Sequence, residues 1–162
     1  MAIRIIRKSG DPVLRGISRE VKEITPQLLA LLDDMVETMN DAEGVGLAAP
    51  QVGISKRLIV VDARDEHGLL KLVNPVIVNR QGRDIVVEGC LSFPSLVGEV
   101  ERDSQVTVKA LGTDGKQLEI CACGLLSQAL QHEIDHLDGI LFVDHAIRFI
   151  EEKKDEKKDG QD

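Results

Sequence analysis

The residues best suited to chemistry lie at positions 131–139, which contain the pattern H-E-x-x-H. On a helix, residues four positions apart lie on the same face, so His132 and His136 can direct ring nitrogens at one metal ion. Glu133 projects near the same ion without binding it, where it can take a proton from a water held there and deliver it later. Two surface histidines on an amphipathic helix are the alternative interpretation of this pattern.

A third protein ligand is needed, because two histidines and a water leave one position open on a four-coordinate catalytic ion. In metzincin proteases it is a histidine six residues after the second one, a position that Phe142 occupies here. The downstream glutamates that a thermolysin-type protease would use lie in a lysine-rich terminal run. Cys90 is the better candidate. It lies between Gly89 and Pro94, at the end of an apolar stretch. Its alternative is a small buried apolar residue.

Hydrophobic periodicity predicts the elements that position these residues. Thr25 and Pro26 are typical of a helix start, and apolar residues at helical spacing predict an amphipathic helix over 26–40. A second helix over 124–137 carries the H-E-x-x-H and ends before Gly139. Short apolar runs predict strands at 4–7, 58–61, 70–78, 85–87, 97–100, 105–111 and 117–121.

The order of these elements predicts an α+β fold, since the strands precede the H-E-x-x-H helix rather than alternating with helices. We expect short antiparallel strands around that central helix, an N-terminal amphipathic helix and a C-terminal helix from about Ala146. Pro75 should restrict its strand to an edge or a bulge. We expect one catalytic domain over residues 1–150 and a charged helix end or tail over 151–162.

Composition narrows the classes of partner. The formal net charge is -8 and aromatic residues make up 2% of 162 residues, which argues against binding of free nucleic acid. The sequence contains neither a membrane-spanning run nor the apolar core of a signal peptide, and its three cysteines suggest no disulfide framework. We therefore expect a cytoplasmic protein with no membrane contact. Cys121 and Cys123 should share one face of a strand, as packing residues rather than a second metal site.

Three motifs resemble those of the peptide deformylase family, in that family's order and approximate spacing. They are G-V-G-L-A-A-P-Q at 44–51, E-G-C-L-S at 88–92 and Q-H-E-I-D-H at 131–136. The similarity extends over about residues 3–144, and the E-G-C-L-S form resembles the bacterial type. It implies removal of the N-formyl group from the initiator methionine of nascent proteins.

The resemblance also assigns roles to the site residues. It implies one divalent ion held by Cys90, His132 and His136, usually Fe²⁺, with Zn²⁺, Ni²⁺ or Co²⁺ able to substitute. The Gln51 side-chain amide and the Leu91 backbone N–H would donate to the formyl oxygen, where charge develops. Glu133 would move the proton from the water to the leaving amine.

A substrate cleft and its surroundings follow from the same resemblance. Substrate-binding residues would be Gly44, Val45, Gly46, Val86, Gly89, Leu125, Gln128 and Ala129. Three positions depart from the family pattern: Val97 replaces a frequent arginine, Phe93 stands where Ile or Val is common, and Gln128 replaces an apolar residue of the methionine pocket.

The resemblance also implies which residues support the metal ligands from behind and which partners the protein has. Glu88 and Arg102 resemble a family ion pair that supports the cysteine loop. Asp135 is a candidate to orient a ligand histidine, the alternative being a solvent-facing helix residue. Formyl-methionyl nascent peptides are the expected partners, with ribosome contact through the C-terminal helix and a monomeric state.

Two other functions stay open at this point. A catalytically silent, metal-binding relative could act as a peptide-binding module, although the intact Glu133 and Gln51 argue against it. A zinc endopeptidase is the other alternative, and Phe142 argues against it.

Overall fold

The computed structural model describes residues 2–150, which form three helices, eight strands and two short 3₁₀ turns. The helices are α1 (Pro26–Asp41), α2 (Gly124–Leu137) and α3 (Phe142–His145). The strands are β1 (Gly46–Ala48), β2 (Leu58–Asp62), β3 (Leu69–Gln81), β4 (Asp84–Cys90), β5 (Phe93–Arg102), β6 (Gln105–Leu111), β7 (Gln117–Cys123) and β8 (Ala146–Ile150). The 3₁₀ turns are Pro12–Arg15 and Ala49–Val52. No helix within residues 2–150 has the length and apolarity needed to cross a bilayer.

The strands form two antiparallel sheets, which confirms the predicted α+β class. One sheet has the order β1-β2-β3-β6-β7 and the other the order β4-β5-β8. In β2, Ile59 and Val61 pack with α2 on one face of the larger sheet. Leu58 and Val60 pack with α1 on the opposite face. The larger sheet is therefore buried between the two long helices, as period-two side-chain alternation requires.

Both long helices lie where the sequence predicts them. Thr25 caps α1, its hydroxyl accepting a hydrogen bond from the Leu28 N–H at 3.1 Å, and Pro26 occupies the first turn. Helix α1 ends one residue later than predicted. Helix α2 has the predicted bounds, and Gly139 follows it with a left-handed φ of 73°, a conformation that glycine adopts without strain.

The proline in β3 lies at a bulge, and the alternative prediction of an edge strand is wrong. Strand β3 pairs with β2 on one side and with β6 on the other. Its register with β6 shifts between Val73 and Val76, on either side of Pro75. The shift lets an interior strand contain a residue with no N–H to donate.

The two chain ends differ most from the sequence prediction. The C-terminal helix is only the single turn α3, and the helix predicted from Ala146 is instead the strand β8, which pairs with β5. Gly98 permits this pairing, because a Cβ there would lie 3.1 Å from the Arg148 carbonyl oxygen. Residues 4–7 are not a strand; within the described chain, hydrogen bonds from Ala2 and Arg4 hold this segment to α1. The predicted tail, 151–162, lies outside the described residues.

Candidate metal centre and active site

Helix α2 and the end of β4 bring together one thiol and two imidazoles. Ligand atoms of Cys90, His132 and His136 all lie within 4.8 Å of one another. The Cys90 Sγ is 3.4 Å from Nε2 of His136. Both histidines are buried and the cysteine is partly buried. A sulfur and two nitrogens converging in this way suit a divalent transition metal, so the donor set fits the ion that the sequence motif predicts.

The rings of both histidines are oriented toward this cluster. Nδ1 of His132 lies 2.8 Å from the Glu88 carboxylate, which leaves its Nε2 for the cluster side. His136 presents Nε2 to the Cys90 sulfur. Burial, reinforced by the neighbouring His132, lowers the pKa of His136 well below its usual value, which favours the neutral imidazole that binds metals.

Behind the cluster of Cys90, His132 and His136 lies an ion pair that joins β4, β5 and α2. The Arg102 guanidinium donates two hydrogen bonds to Glu88, at 2.6 and 2.9 Å, and both side chains are buried. Burial alone would raise the pKa of Glu88, but the hydrogen bonds from Arg102 and His132 outweigh it and lower the pKa to about 2. Glu88 therefore stays ionised and can hold the His132 ring in one orientation.

The hypothesis that Asp135 orients a ligand histidine is wrong. Its carboxylate accepts a hydrogen bond of 2.8 Å from Arg102, and Glu88 contacts the His132 ring instead. Among the described residues, Asp135 is therefore connected to the site through Arg102. Spacing along α2 could not reveal this, because the partner of His132 lies 44 positions away in the sequence.

Gln51 lies in the 3₁₀ turn after β1 with its amide in a defined orientation. Its Oε1 accepts a hydrogen bond from the Ala48 N–H at 2.9 Å. Its Nε2 donates to the Ser92 hydroxyl at 3.1 Å and lies 3.6 Å from the Cys90 sulfur. The amide N–H groups therefore point toward the metal cluster. Ser92 is fully buried and closes the second motif, which is the signal that could have identified it from the sequence.

Glu133 is buried directly beside the cluster. Within the described chain its Oε1 has no hydrogen-bond partner, and burial raises its pKa to about 7. The absence of a side chain at Gly46 makes room for it, because a Cβ there would lie 2.7 Å from the Glu133 Oε2. An unpaired buried carboxyl whose pKa is near neutral suits proton transfer.

The cluster opens into a cleft of about 730 Å³ between α2, β4 and the loop after α1. Most of the predicted substrate-binding residues line it: Gly44, Val45, Gly46, Gly89, Leu125, Gln128 and Ala129. Val86 does not line it, whereas the next residue, Val87, does.

Some contributors to the cleft were not predicted. Ile6 and Lys8 extend the wall from the N-terminal segment, and the Lys8 Nζ lies 3.5 Å from the Leu91 carbonyl oxygen. No local sequence pattern indicates a contact across 83 positions. The departures Phe93 and Val97 also line the cleft. Phe93 packs edge-on against Phe142, with ring centroids 5.5 Å apart, and Phe142 stacks on His132 at 6.1 Å.

Cys121 and Cys123 are remote from this cleft, on β7 at the edge of the larger sheet. Both thiols are exposed, so the prediction that they are packing residues is wrong. They share the outer face, whereas the intervening Ala122 is buried.

Known proteins share this sequence pattern and this fold. The sequence model of the family Polypeptide deformylase matches residues 3–152. A peptide deformylase of Halothermothrix orenii is 57% identical over 152 residues, covering 94% of this chain and 99% of the relative. That of Acetivibrio thermocellus is 52% identical over 158 residues, covering 98% and 92%.

Solved structures with a similar fold are also peptide deformylases. A peptide deformylase from Legionella pneumophila superposes with a TM-score of 0.86 at 49% identity, covering 89% of this chain and 86% of its own. The enzyme from Thermotoga maritima gives a TM-score of 0.87 at 39% identity, covering 90% and 99%. Because the family's sequence pattern spans nearly all of this chain and relatives over half identical match along their full length, the chain belongs to the polypeptide deformylase family.

Proposed function

We propose that this chain hydrolyses the N-formyl group of new proteins at the cleft formed by α2, β4 and the Gln51 turn. Membership of the family makes the chain a metal-dependent hydrolase that releases formate from formylated nascent peptides. The assignment of this reaction to named residues is carried by one observation. The ligand atoms of Cys90, His132 and His136 converge within 4.8 Å beside the Glu133 carboxyl, whose Oε1 has no hydrogen-bond partner among residues 2–150.

The metal and the protein supply different parts of the chemistry. Cys90, His132 and His136 would hold a divalent ion, and such an ion would supply a nucleophile near neutral pH by lowering the pKa of a bound water. We infer Fe²⁺ as the native ion, with Zn²⁺, Ni²⁺ or Co²⁺ as substitutes, since a site of one thiolate and two imidazoles suits several of these metals.

Glu133 moves the proton in this scheme. Its carboxylate accepts a proton from the attacking water as the new C–O bond forms at the formyl carbon. It then gives this proton to the amide nitrogen as the C–N bond breaks, so the products are formate and a free amine. Burial raises the pKa of Glu133 to about 7, which supports a role as both proton acceptor and proton donor.

Gln51 and Leu91 stabilise the charge that develops on the formyl oxygen. The orientation of Gln51 supports this role, since its Oε1 is held by Ala48 and its Nε2 faces the cluster. The backbone N–H of Leu91, next to the ligand Cys90, is the second donor. Preorganised donors of this kind lower the barrier because they need no rearrangement as charge appears.

We infer the cellular setting from the same reaction. The protein acts as a cytoplasmic monomer on nascent formyl-methionyl peptides, with a transient contact to the ribosome at the C-terminal end. We infer that residues 1–150 form the catalytic domain and that the charged residues 151–162 lie outside it. Free nucleic acid is not a partner, a view supported by the net charge of -8.

The test is formate release from a short formyl-methionyl peptide by protein purified without oxygen, with bound metal measured on the same sample. We expect formate release that disappears on chelation and returns when Fe²⁺ is added. Bound metal without formate release would instead favour the silent relative. Cleavage within an unformylated peptide would favour the endopeptidase.

A further inference from the structure

Cys121 and Cys123 form a pair of thiols that lies outside both the core and the catalytic cleft. Both residues are on β7, the strand at the edge of the larger sheet, and both side chains are exposed. Ala122 between them is buried, so the two thiols are on the same, solvent-facing side of the strand. Their spacing and surroundings therefore decide what this pair can bind.

The spacing of the two residues is too large for an unstrained bond between their sulfurs. Residues two positions apart on a strand are about 6.5–7 Å apart, and their Cβ atoms project in parallel. The Cβ atoms of a disulfide are only about 3.5–4.5 Å apart. Cys121 and Cys123 are each held in register by β6, opposite Thr107 and Gln105. The pair therefore stays a dithiol while β7 remains in the sheet.

The same spacing suits a single metal ion between the two sulfurs. A bond from a thiolate to a metal such as zinc is about 2.3 Å long, so an ion between two sulfurs holds them up to about 4.6 Å apart. Side chains that begin about 6.5–7 Å apart reach this separation when each sulfur turns toward the other. Two thiolates complete the ligand set of a linear Cu(I) ion, and Cu(I) is among the metals that soft thiolates select.

The surface beside the thiols contains polar but uncharged groups. A shallow pocket of about 260 Å³ adjoins them, and its polar lining consists of Asn79, Gln81, Gln105 and Thr107. The Thr107 Oγ1 is 3.8 Å from the Cys121 Sγ and can donate a hydrogen bond to this sulfur when it is a thiolate. Within residues 2–150, no carboxylate or imidazole lines the pocket. The surroundings therefore disfavour Mg²⁺ and Ca²⁺, which require oxygen ligands, and Zn²⁺, which requires four ligands.

We propose that Cys121 and Cys123 bind one Cu(I) ion as a pair of thiolates on the outer face of β7. Each thiol releases its proton to solvent as its sulfur binds the ion, so two S–H bonds are exchanged for two S–Cu bonds and the copper stays in the +1 state. The site uses side chains of a strand that is already paired, so binding requires no change in the backbone. It is independent of the proposed hydrolase function, because none of its residues lines the catalytic cleft.

The test is retention of Cu(I) against a competing Cu(I) chelator, bathocuproine disulfonate, without oxygen. Cu(I) is added to the Ni²⁺-loaded parent, to Cys121→Ser and to Cys123→Ser, and copper per chain is measured at a series of chelator concentrations. Cys90→Ser is the matched control, because it removes a thiol of the catalytic cluster and leaves the β7 pair intact. Exposed positions tolerate the exchange of a thiol for a hydroxyl, so both β7 variants should fold.

We expect the parent and Cys90→Ser to retain one Cu(I) per chain with equal affinity. Each β7 variant should bind copper about a hundredfold or more weakly, because a second thiolate on the same strand binds at a high effective concentration. Parent-like affinity in both β7 variants, or copper lost only in Cys90→Ser, would overturn the proposal. Treatment of the copper-free parent with the oxidant diamide gives a second measurement. A disulfide between Cys121 and Cys123, detected by peptide mass spectrometry, would contradict the spacing on which the site depends.

Discussion

At the scale of single residues, Glu133 is the group whose role can be separated from metal binding. It is buried beside the cluster of Cys90, His132 and His136 but is not one of the three converging donors. We expect Glu133→Ala and the isosteric Glu133→Gln to keep the bound metal and to lower kcat by about 10²–10⁴-fold, the usual contribution of a positioned proton carrier. Metal content and formate release, measured on one preparation, check this. A full rate in either variant would remove Glu133 from the mechanism.

Gly46 gives a second prediction at this scale, because its missing side chain leaves room for Glu133. A Cβ at Gly46 would lie 2.7 Å from Oε2 and 2.8 Å from Cγ of Glu133, so the buried carboxylate has to move. We expect Gly46→Ala to lower kcat on the order of a hundredfold, since small displacements of catalytic groups are costly.

The control for this variant is Gly16→Ala. Gly16 has an ordinary φ of -81°, and the nearest atom to an added Cβ is 3.8 Å away. Its kcat should stay close to the parent value. If Gly46→Ala kept the parent kcat as well, the close approach of Gly46 to Glu133 would have no catalytic importance.

At the scale of elements, the Arg102–Glu88 pair fixes β4 and β5 to each other and, through Asp135, to α2. Arg102→Met leaves the carboxylate of Glu88 buried without its partner. We expect the free energy of unfolding to fall by about 3–5 kcal/mol, as when one member of a buried ion pair is removed. Denaturant unfolding of the metal-loaded protein measures this.

The matched control is Arg148→Gln, which breaks the ion pair between β8 and Glu99. The Arg148 side chain is 69% exposed, so the loss should be within about 1 kcal/mol. Equal losses in the two variants would show that burial of the Arg102–Glu88 pair adds nothing to its effect on stability.

The elements also show what the sequence can and cannot predict. Helices α1 and α2 follow from local information, because apolar periodicity, the Thr25 cap and Gly139 all lie within or beside them. Strand β8 does not, since its pairing depends on Gly98, about fifty positions earlier in the chain. The charged residues after Ile150 favoured a helix in the sequence, but tertiary pairing decides the conformation of Ala146–Ile150.

The candidate site likewise has some contacts that the sequence predicts and others that it does not. The approach of His132 and His136 follows from helical spacing alone, and Cys90 from its motif. The contact of Glu88 with His132 and the wall formed by Lys8 depend on long-range packing, which no local pattern contains.

At the scale of the whole molecule, the N-terminal segment connects α1 to the catalytic cleft. Asp34 on α1 accepts hydrogen bonds from the Ala2 N–H at 2.7 Å and the Arg4 guanidinium at 3.0 Å. Farther along the segment, the Arg7 N–H donates to the Gln51 carbonyl oxygen at 2.7 Å, and Lys8 lines the cleft. Asp34 therefore anchors a segment that supports both the Gln51 turn and the cleft wall.

Because of this anchor, the free energy of unfolding should fall as the pH is lowered through the acid range. The hydrogen bond from Ala2 and the contact with Arg4 lower the pKa of Asp34 below its usual value. A carboxyl whose pKa is lower in the folded state stabilises the protein fully above its unfolded pKa of about 4, and this stabilisation is lost as pH falls through the lower folded value. We expect Asp34→Asn to be less stable than the parent at pH 7, with a difference that closes below pH of about 4.

Denaturant unfolding of parent and variant at a series of pH values from neutral to acid measures that difference. Asp84→Asn, at an exposed position on β4, is the control and should follow the parent at every pH. A constant gap between Asp34→Asn and the parent down to the acid limit would mean that the ionised form of Asp34 contributes nothing to stability. A gap that closes on acidification would show that the ionised carboxylate of Asp34 stabilises the fold through its contacts with Ala2 and Arg4.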